Sequence, residues 1–193
     1  MSDNKHPTVL QLGDASSIAT LKLLNRLAEL GWRVHLISHK PQATNITLNT
    51  RVTVHRLPVN PTYPLTYVAF LAAAPMIMSI KPGVIHAHYL TSFGIMAAVH
   101  RRFLRFKPMV LTACGPDVII DARGGMTRWS AEHALKMFES ITGGSEEVIE
   151  ALQKLKAPME RLERIDWATG NPDQIAIAAD RLDALYAKLI SGD

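Results

Sequence analysis

Hydrophobic positions with strand-like and helix-like spacing alternate along the first 38 residues. Short apolar runs at 8–13 and 32–38 have the length and composition of buried strands. Between them, residues 16–31 carry leucine, isoleucine and alanine at helical spacing on a wide apolar face, and Ser16 or Ser17 can cap the first turn. The order strand, helix, strand predicts two parallel strands joined by a right-handed crossover.

The same alternation continues to the end of the chain. Further strands are predicted over 51–57, 83–88, 108–114 and 140–143, with a last strand or extended segment at 163–168, and further helices over 65–80, 92–106, 127–140 and 146–155. This order indicates the α/β fold class: a single Rossmann-like, doubly wound parallel sheet with helices on both faces.

Two of the predicted helices are unusual. Residues 64–80 are almost entirely apolar, but Pro75 interrupts them and they fall short of a membrane span, so we expect no transmembrane segment and a buried helix kinked or broken near Pro75. The tail over 172–190 repeats apolar residues at intervals of three and four, with Asn171 as cap and Pro172 in the first turn. This amphipathic C-terminal helix is predicted to close the domain.

Composition limits the classes of partner. With 193 residues, 48% apolar, the chain suits one globular domain. The net charge of +4 comes without a dense basic run interleaved with aromatic residues, which argues against nucleic-acid binding. One cysteine and no signal peptide favour a cytoplasmic location. The basic stretch 100–107 either complements a helix dipole or faces phospholipid, the latter giving peripheral membrane contact.

The carboxyl ends of parallel strands are where ligands bind in such sheets. That rule selects four segments, 13–17, 88–94, 114–117 and 143–145. In the first, Gly13, Asp14 and Ser16 form a tight turn that either only caps a helix or also contacts ligand, and the G-x-G-x-x-G dinucleotide fingerprint is absent. Gly144 and Ser145 allow the same two interpretations, a helix cap or an anion cradle.

Histidines mark the second segment. His86 and His88, two apart on a strand, point to one face, but no third ligand with metal spacing is nearby, so we predict no metal site. We expect His86 to be packed and hydrogen-bonded between sheet and helix, whereas His88 is either a ligand contact or structural. In the third segment Cys114 is expected to be a small buried residue, and Asp117 either caps a helix or contacts a ligand hydroxyl.

The order of these pieces resembles the N-terminal domain of family 4 glycosyltransferases, retaining enzymes with two Rossmann-like domains in the GT-B architecture. The likeness covers residues 8 to about 169 and rests on "LKLLNRLAELGWRVHLIS", "KPGVIHAHYLTSFGIMAA", "KPMVLTACGPDVI" and "SITGGSEEVIEAL". It implies transfer of a sugar from a nucleotide-sugar donor to a sugar or lipid acceptor with retention, no cofactor and no metal.

The strand-end rule and the resemblance together give the candidate site residues. Substrate contacts are expected from Gly13, Asp14, Ser16, His88, Tyr89, Gly115, Asp117, Gly144 and Ser145. Cys114 stands where many members have an active-site histidine, so no catalytic residue is assigned.

A larger departure concerns the donor-binding domain. In the family it follows the N-terminal domain, yet here residues 171–189 already resemble the family's last helix, which packs back on that domain. We therefore expect one domain over 1–193, in which 1–169 is the N-terminal-type domain and 170–193 the returning helix, with the donor domain skipped.

Three functions follow as hypotheses. The first is a glycosyltransferase half that is weakly active or inactive alone. The second is a non-catalytic α/β scaffold, minimal or engineered, that forms a homodimer through the face left by the missing domain. The third, a dehydrogenase, is disfavoured by the missing glycine fingerprint. Whether the chain is an enzyme is left open by the sequence.

Overall fold

Seven parallel strands form one sheet in the order β3-β2-β1-β4-β5-β6-β7. The structure is a computed structural model that describes residues 7–62, 65–106, 108–120, 124–167 and 170–192. The strands are β1 Thr8–Leu12, β2 Arg33–Ser38, β3 Val52–Arg56, β4 Val84–His88, β5 Met109–Ala113, β6 Ser140–Gly143 and β7 Leu162–Arg164. The predicted doubly wound α/β fold is confirmed, and strand order reverses between β1 and β4.

In the described residues, six α-helices, a π-helical segment and a short 3-10 helix, Met159–Arg161, lie between the strands, and a seventh α-helix follows β7. The helices are α1 Ile18–Glu29, α2 Thr66–Ile80, α3 Ile95–Leu104, α4 Pro116–Ile119, α5 Gly125–Leu135, α6 Glu146–Lys154 and α7 Pro172–Ser191. The π-helical segment, Tyr89–Gly94, leads from β4 directly into α3.

Each face of the sheet buries its own apolar cluster. Helices α1 and α7 cover one face, and α2, α3, α5 and α6 cover the other. On the first face the indole of Trp32 meets the ring of Tyr186 edge to face, with centroids 5.5 Å apart, and Trp32 Nε1 donates to Asp183 at 2.7 Å. The tail helix therefore packs against the sheet and α1.

Helix α2 was predicted to be buried and to be kinked or broken near Pro75, and the structure differs from this prediction. It runs unbroken through Pro75, and only Thr66, Ala69, Ala73 and Ile77 are buried. An all-apolar helix gives no hint in its sequence that one of its faces is left exposed. Within the described ranges, none of the helices combines the length and apolarity that crossing a bilayer requires.

Candidate functional site

A cleft of about 650 Å³ opens at the carboxyl edge of the sheet. Its walls come from the segments that follow β1 to β5 and from the start of α5. The lining residues are Asp14, His39, Lys40, Asn60, Thr62, Tyr89, Thr91, Ser92, Phe93, Pro116, Asp117 and Thr127. The cleft lies beside the β1–β4 reversal, where ligands bind in open parallel sheets.

The glycine loop after β1 uses its backbone N–H groups internally. Gly13 donates to the Ile37 carbonyl, Ala15 donates to Ser38 Oγ at 3.0 Å, and Ser16 donates to Asp14 Oδ1 at 2.8 Å. The side chain of Ser17, the N-cap of α1, accepts from the N–H of Thr20. The loop is thus a capped turn whose contribution to the cleft is the side chain of Asp14.

Asp14 is held as a carboxylate. Burial raises its pKa, but hydrogen bonds from Lys40 and Ser16 outweigh burial and leave the pKa below the usual value. Lys40 Nζ lies 2.7 Å from Asp14 Oδ2. A carboxylate at this position can accept a hydrogen bond from a ligand hydroxyl and would repel a phosphate group.

His88 lies inside the protein rather than on the cleft wall. Its side chain is fully buried, and Trp167 packs edge-on against it with ring centroids 5.1 Å apart. Its Nδ1 has no hydrogen-bond partner among the described residues. Burial lowers the pKa of His88 to about 3, so the imidazole is neutral at pH 7.

A buried network of hydrogen bonds links β1, β4 and β5 with α7. His88 Nε2 bonds Gln11 Oε1 at 2.7 Å, and Gln11 Nε2 donates to Tyr186 Oη at 3.1 Å. Tyr186 Oη also bonds His86 Nδ1, and the other ring nitrogen, Nε2, bonds Thr112 Oγ1 at 2.7 Å. One assignment of protons is consistent with each of these hydrogen bonds: the Tyr186 hydroxyl donates to His86 Nδ1, and His86 Nε2 donates to Thr112 Oγ1. His86 is therefore structural, as the sequence predicted.

Asp117 clamps the ends of β4 and β5. Its two carboxylate oxygens accept the backbone N–H groups of Leu90 and Cys114, the latter at 3.0 Å. It therefore caps the π-helical segment that follows β4 and not its own helix α4, whose N-cap is Gly115. Beside it, Tyr89 has a left-handed φ of 69° that turns the chain into the cleft.

Cys114 lacks the environment of a nucleophile. Burial, reinforced by the charge of Asp117, raises the pKa of its thiol. Its sulfur contacts the Thr112 carbonyl at 3.8 Å, and no histidine bonds it among the described residues. A thiol with a raised pKa and no base is not activated.

The remaining predicted residues do not line the cleft. Ser145 caps α6 by accepting from the N–H of Val148 at 3.3 Å. Gly144 lies against Asp166, and Gly115 occupies a φ of 98° at the turn after β5. Of the residues with predicted substrate contacts, Asp14, Tyr89 and Asp117 line the cleft, whereas Gly13, Ser16, His88, Gly115, Gly144 and Ser145 do not.

Residues 8–142 match the family described as glycosyl transferase 4-like. The chain belongs to the glycosyl transferase 4-like family. No curated protein matches the chain.

Solved structures share the fold of this glycosyl transferase 4-like chain. A sucrose-phosphate synthase chain from Thermosynechococcus elongatus is 17% identical with a TM-score of 0.71, and the match covers 94% of this chain and 98% of the synthase chain. HepE from Anabaena in complex with UDP is 15% identical with a TM-score of 0.59, and the match covers 84% of this chain and 44% of the HepE chain. UDP-N-acetylglucosamine 2-epimerase from Rickettsia bellii is 10% identical with a TM-score of 0.60, and the match covers 93% of this chain and 48% of the epimerase chain. This chain thus spans less than half of the last two.

Several cleft residues of the glycosyl transferase 4-like chain were missed from the sequence. His39 and Lys40 directly follow β2, and Asn60 and Thr62 follow β3, so the strand-end rule applied to those strands would have found them. Thr127 comes from the start of α5, and no spacing in the sequence signals its approach to the cleft.

Gly13 is predicted to be intolerant of any side chain. A Cβ there would lie 2.9 Å from His88 Cδ2, and the ring is fixed by Gln11 and Trp167. We expect Gly13→Ala to lower the free energy of unfolding by about 1–3 kcal/mol. Urea denaturation measures it, with Gly124→Ala as control, because a Cβ at Gly124 meets nothing within 4 Å. Equal stability of the two variants would contradict the contact between Gly13 and His88.

Proposed function

We propose that this chain is the acceptor-binding half of a retaining glycosyltransferase that takes its sugar from a nucleotide-sugar donor. The observation that carries the proposal is the cleft of about 650 Å³ at the carboxyl edge of the sheet, in a chain whose residues 8–142 match a glycosyltransferase family. The position of the cleft and the residues that line it both indicate the class of ligand.

The cleft lining suits a polyhydroxylated ligand. Hydroxyl and amide groups come from Asn60, Thr62, Thr91, Ser92 and Thr127, which offer paired donors and acceptors for sugar hydroxyls. Ring faces for the apolar side of a sugar ring come from two partly exposed residues that also line the cleft, His39 and Tyr89.

The same lining explains why transfer by this chain alone should be weak. Charge builds on the leaving phosphate during transfer and needs positioned donors. Lys40 is the one lysine or arginine among the described lining residues, and its ammonium is paired with Asp14. The chain's own residues thus bind and orient an acceptor, while donors for the phosphate would come from a donor-binding domain. The HepE structures, which contain UDP and UDP-glucose, support the donor class.

We further propose that α7 corresponds to the helix that returns to the N-terminal domain at the end of the family's two-domain enzymes. In this chain it would follow the N-terminal-type domain directly, with no donor-binding domain between them. Its contacts through Tyr186 and Asp183 fit that role. The proposed boundary lies between residues 169 and 170, and residues 168 and 169, which precede it, lie outside the described residues. The cytoplasmic location and the scaffold alternative stay predictions.

Calorimetric titration with glucose, UDP-glucose and NAD tests the proposal. We expect weak binding of the sugars, no binding of NAD, and a roughly tenfold loss for Asn60→Ala, since one polar contact is removed. Asn45→Ala is the matched control, an exposed asparagine outside the cleft. Absence of sugar binding at millimolar concentration would favour the scaffold, and binding of NAD would favour a dehydrogenase. Should any transfer be detected, proton NMR of the product reports whether the anomeric configuration is retained.

A further inference from the structure

Acidic residues are missing from a long part of the chain. Between Glu29 and Asp117 there is no aspartate or glutamate, whereas nine lysines and arginines occur. This part supplies β2 to β5 together with α2 and α3. The surface built by α2 and α3 is therefore apolar or cationic, with no carboxylate of its own.

Exposed apolar side chains concentrate on the same side of the molecule. On α2 the exposed fractions are 44% for Tyr67, 67% for Leu71 and 55% for Met78, and on α3 Phe103 is 70% exposed. Trp129 of α5 is 55% exposed and shares a shallow groove with Tyr67 and Phe103. Together these five residues form what we call the α2–α3–α5 patch. Monomeric proteins seldom leave so many large apolar groups together without a partner.

Cations border the α2–α3–α5 patch. Arg102 lines the groove and Arg105 follows α3, and neither has an ion pair with any described residue. Arg101, by contrast, is bound to Glu139. The last residue of the basic stretch, at 107, lies outside the described residues. Two exposed guanidinium groups beside exposed aromatic rings are thus available to an external anion.

We propose that the α2–α3–α5 patch docks on an anionic lipid bilayer. Tyrosine, tryptophan and phenylalanine side chains insert at the level of the headgroups, and arginines beside them bind lipid phosphates. The proposal does not rest on the proposed function, because docking is measured without any sugar.

A second copy of the chain fits this surface less well. A two-fold interface through this patch would bring α2 and α3 of both copies together, and neither helix offers an acid to pair with Arg102 and Arg105. A bilayer carrying negative lipids satisfies the apolar and the cationic groups together.

Vesicle sedimentation at low and high salt tests the proposal. We expect binding to vesicles of phosphatidylcholine with phosphatidylglycerol, little binding to phosphatidylcholine alone, and release by salt. Arg102→Gln combined with Arg105→Gln should weaken binding roughly twenty-fivefold, about fivefold for each arginine. Lys154→Gln with Lys188→Gln removes the same charge at exposed positions outside the patch and should change binding little.

Tryptophan fluorescence gives a second readout. Trp32 and Trp167 are 0% and 3% exposed, so brominated lipids should quench Trp129 alone, and Trp129→Phe should abolish the quenching. Equal loss of binding in the lysine control, absence of quenching, or a dimer that does not bind vesicles would overturn the proposal. Phe103→Ala, at an exposed position, should weaken binding without loss of folding, and unchanged binding would also count against it.

Discussion

Replacing Tyr186 by alanine is expected to lower the free energy of unfolding by about 3–5 kcal/mol. The ring is fully buried between α7, Trp32 and the sheet, and its hydroxyl bonds both Gln11 and His86. Truncation leaves a cavity and also strands two buried polar groups. Tyr186→Phe, which keeps the ring, should cost about 1–3 kcal/mol for the unsatisfied partners. Such losses are a large fraction of the stability of a domain.

Urea denaturation of both variants measures this effect. Ile177→Ala is the matched control, because Ile177 lies on the same helix and is 61% exposed, so a change within about 0.5 kcal/mol is expected. If Tyr186→Ala were no more destabilised than Ile177→Ala, α7 would not be docked on the sheet in solution.

Acid is expected to destabilise the fold steeply, beginning near pH 6.5. Burial lowers the pKa of His88 to about 3 and of His100 to about 4, and burial with the charge of His88 lowers the pKa of His86 well below its usual value. The unfolded chain therefore binds more protons than the folded chain below pH 6.5. The contribution of these three neutral histidines to the free energy of unfolding is fully present above that pH. Below it, the free energy of unfolding falls by up to about 4 kcal/mol per pH unit.

Urea denaturation at a series of pH values between 7 and 5 checks the acid effect. His100→Leu should reduce the pH slope by up to about 1.4 kcal/mol per pH unit, because one buried imidazole is removed. Stability that does not change between pH 7 and pH 5 would show that the histidines are not buried as described.

The strands, their order along the chain and the edge that bears the cleft were predictable from the sequence. The alternation of apolar runs and amphipathic helices fixes a parallel sheet, and a parallel sheet has a single carboxyl edge. Ser17, Ser145 and Asn171 cap helices where their positions before helical patterns indicated.

Contacts between distant segments were not predictable. Lys40 meets Asp14 across 26 positions, and Trp167 covers His88 across 79, and no local spacing carries such information. The exposed face of α2 also could not be predicted, since every face of that helix is apolar. The burial of His88 depends on a segment after β7 that the sequence presents only as an extended stretch.

Chemical-shift mapping with glucose and UDP-glucose on the isotope-labelled chain tests the central claim most directly, namely that the cleft at the carboxyl edge is the sugar site. The account predicts shifts for the amides of Lys40, Asn60, Ser92 and Phe93, all of which line the cleft, and none for the indole of Trp129. Shifts confined to residues outside the cleft, or no shifts at millimolar sugar, would contradict it.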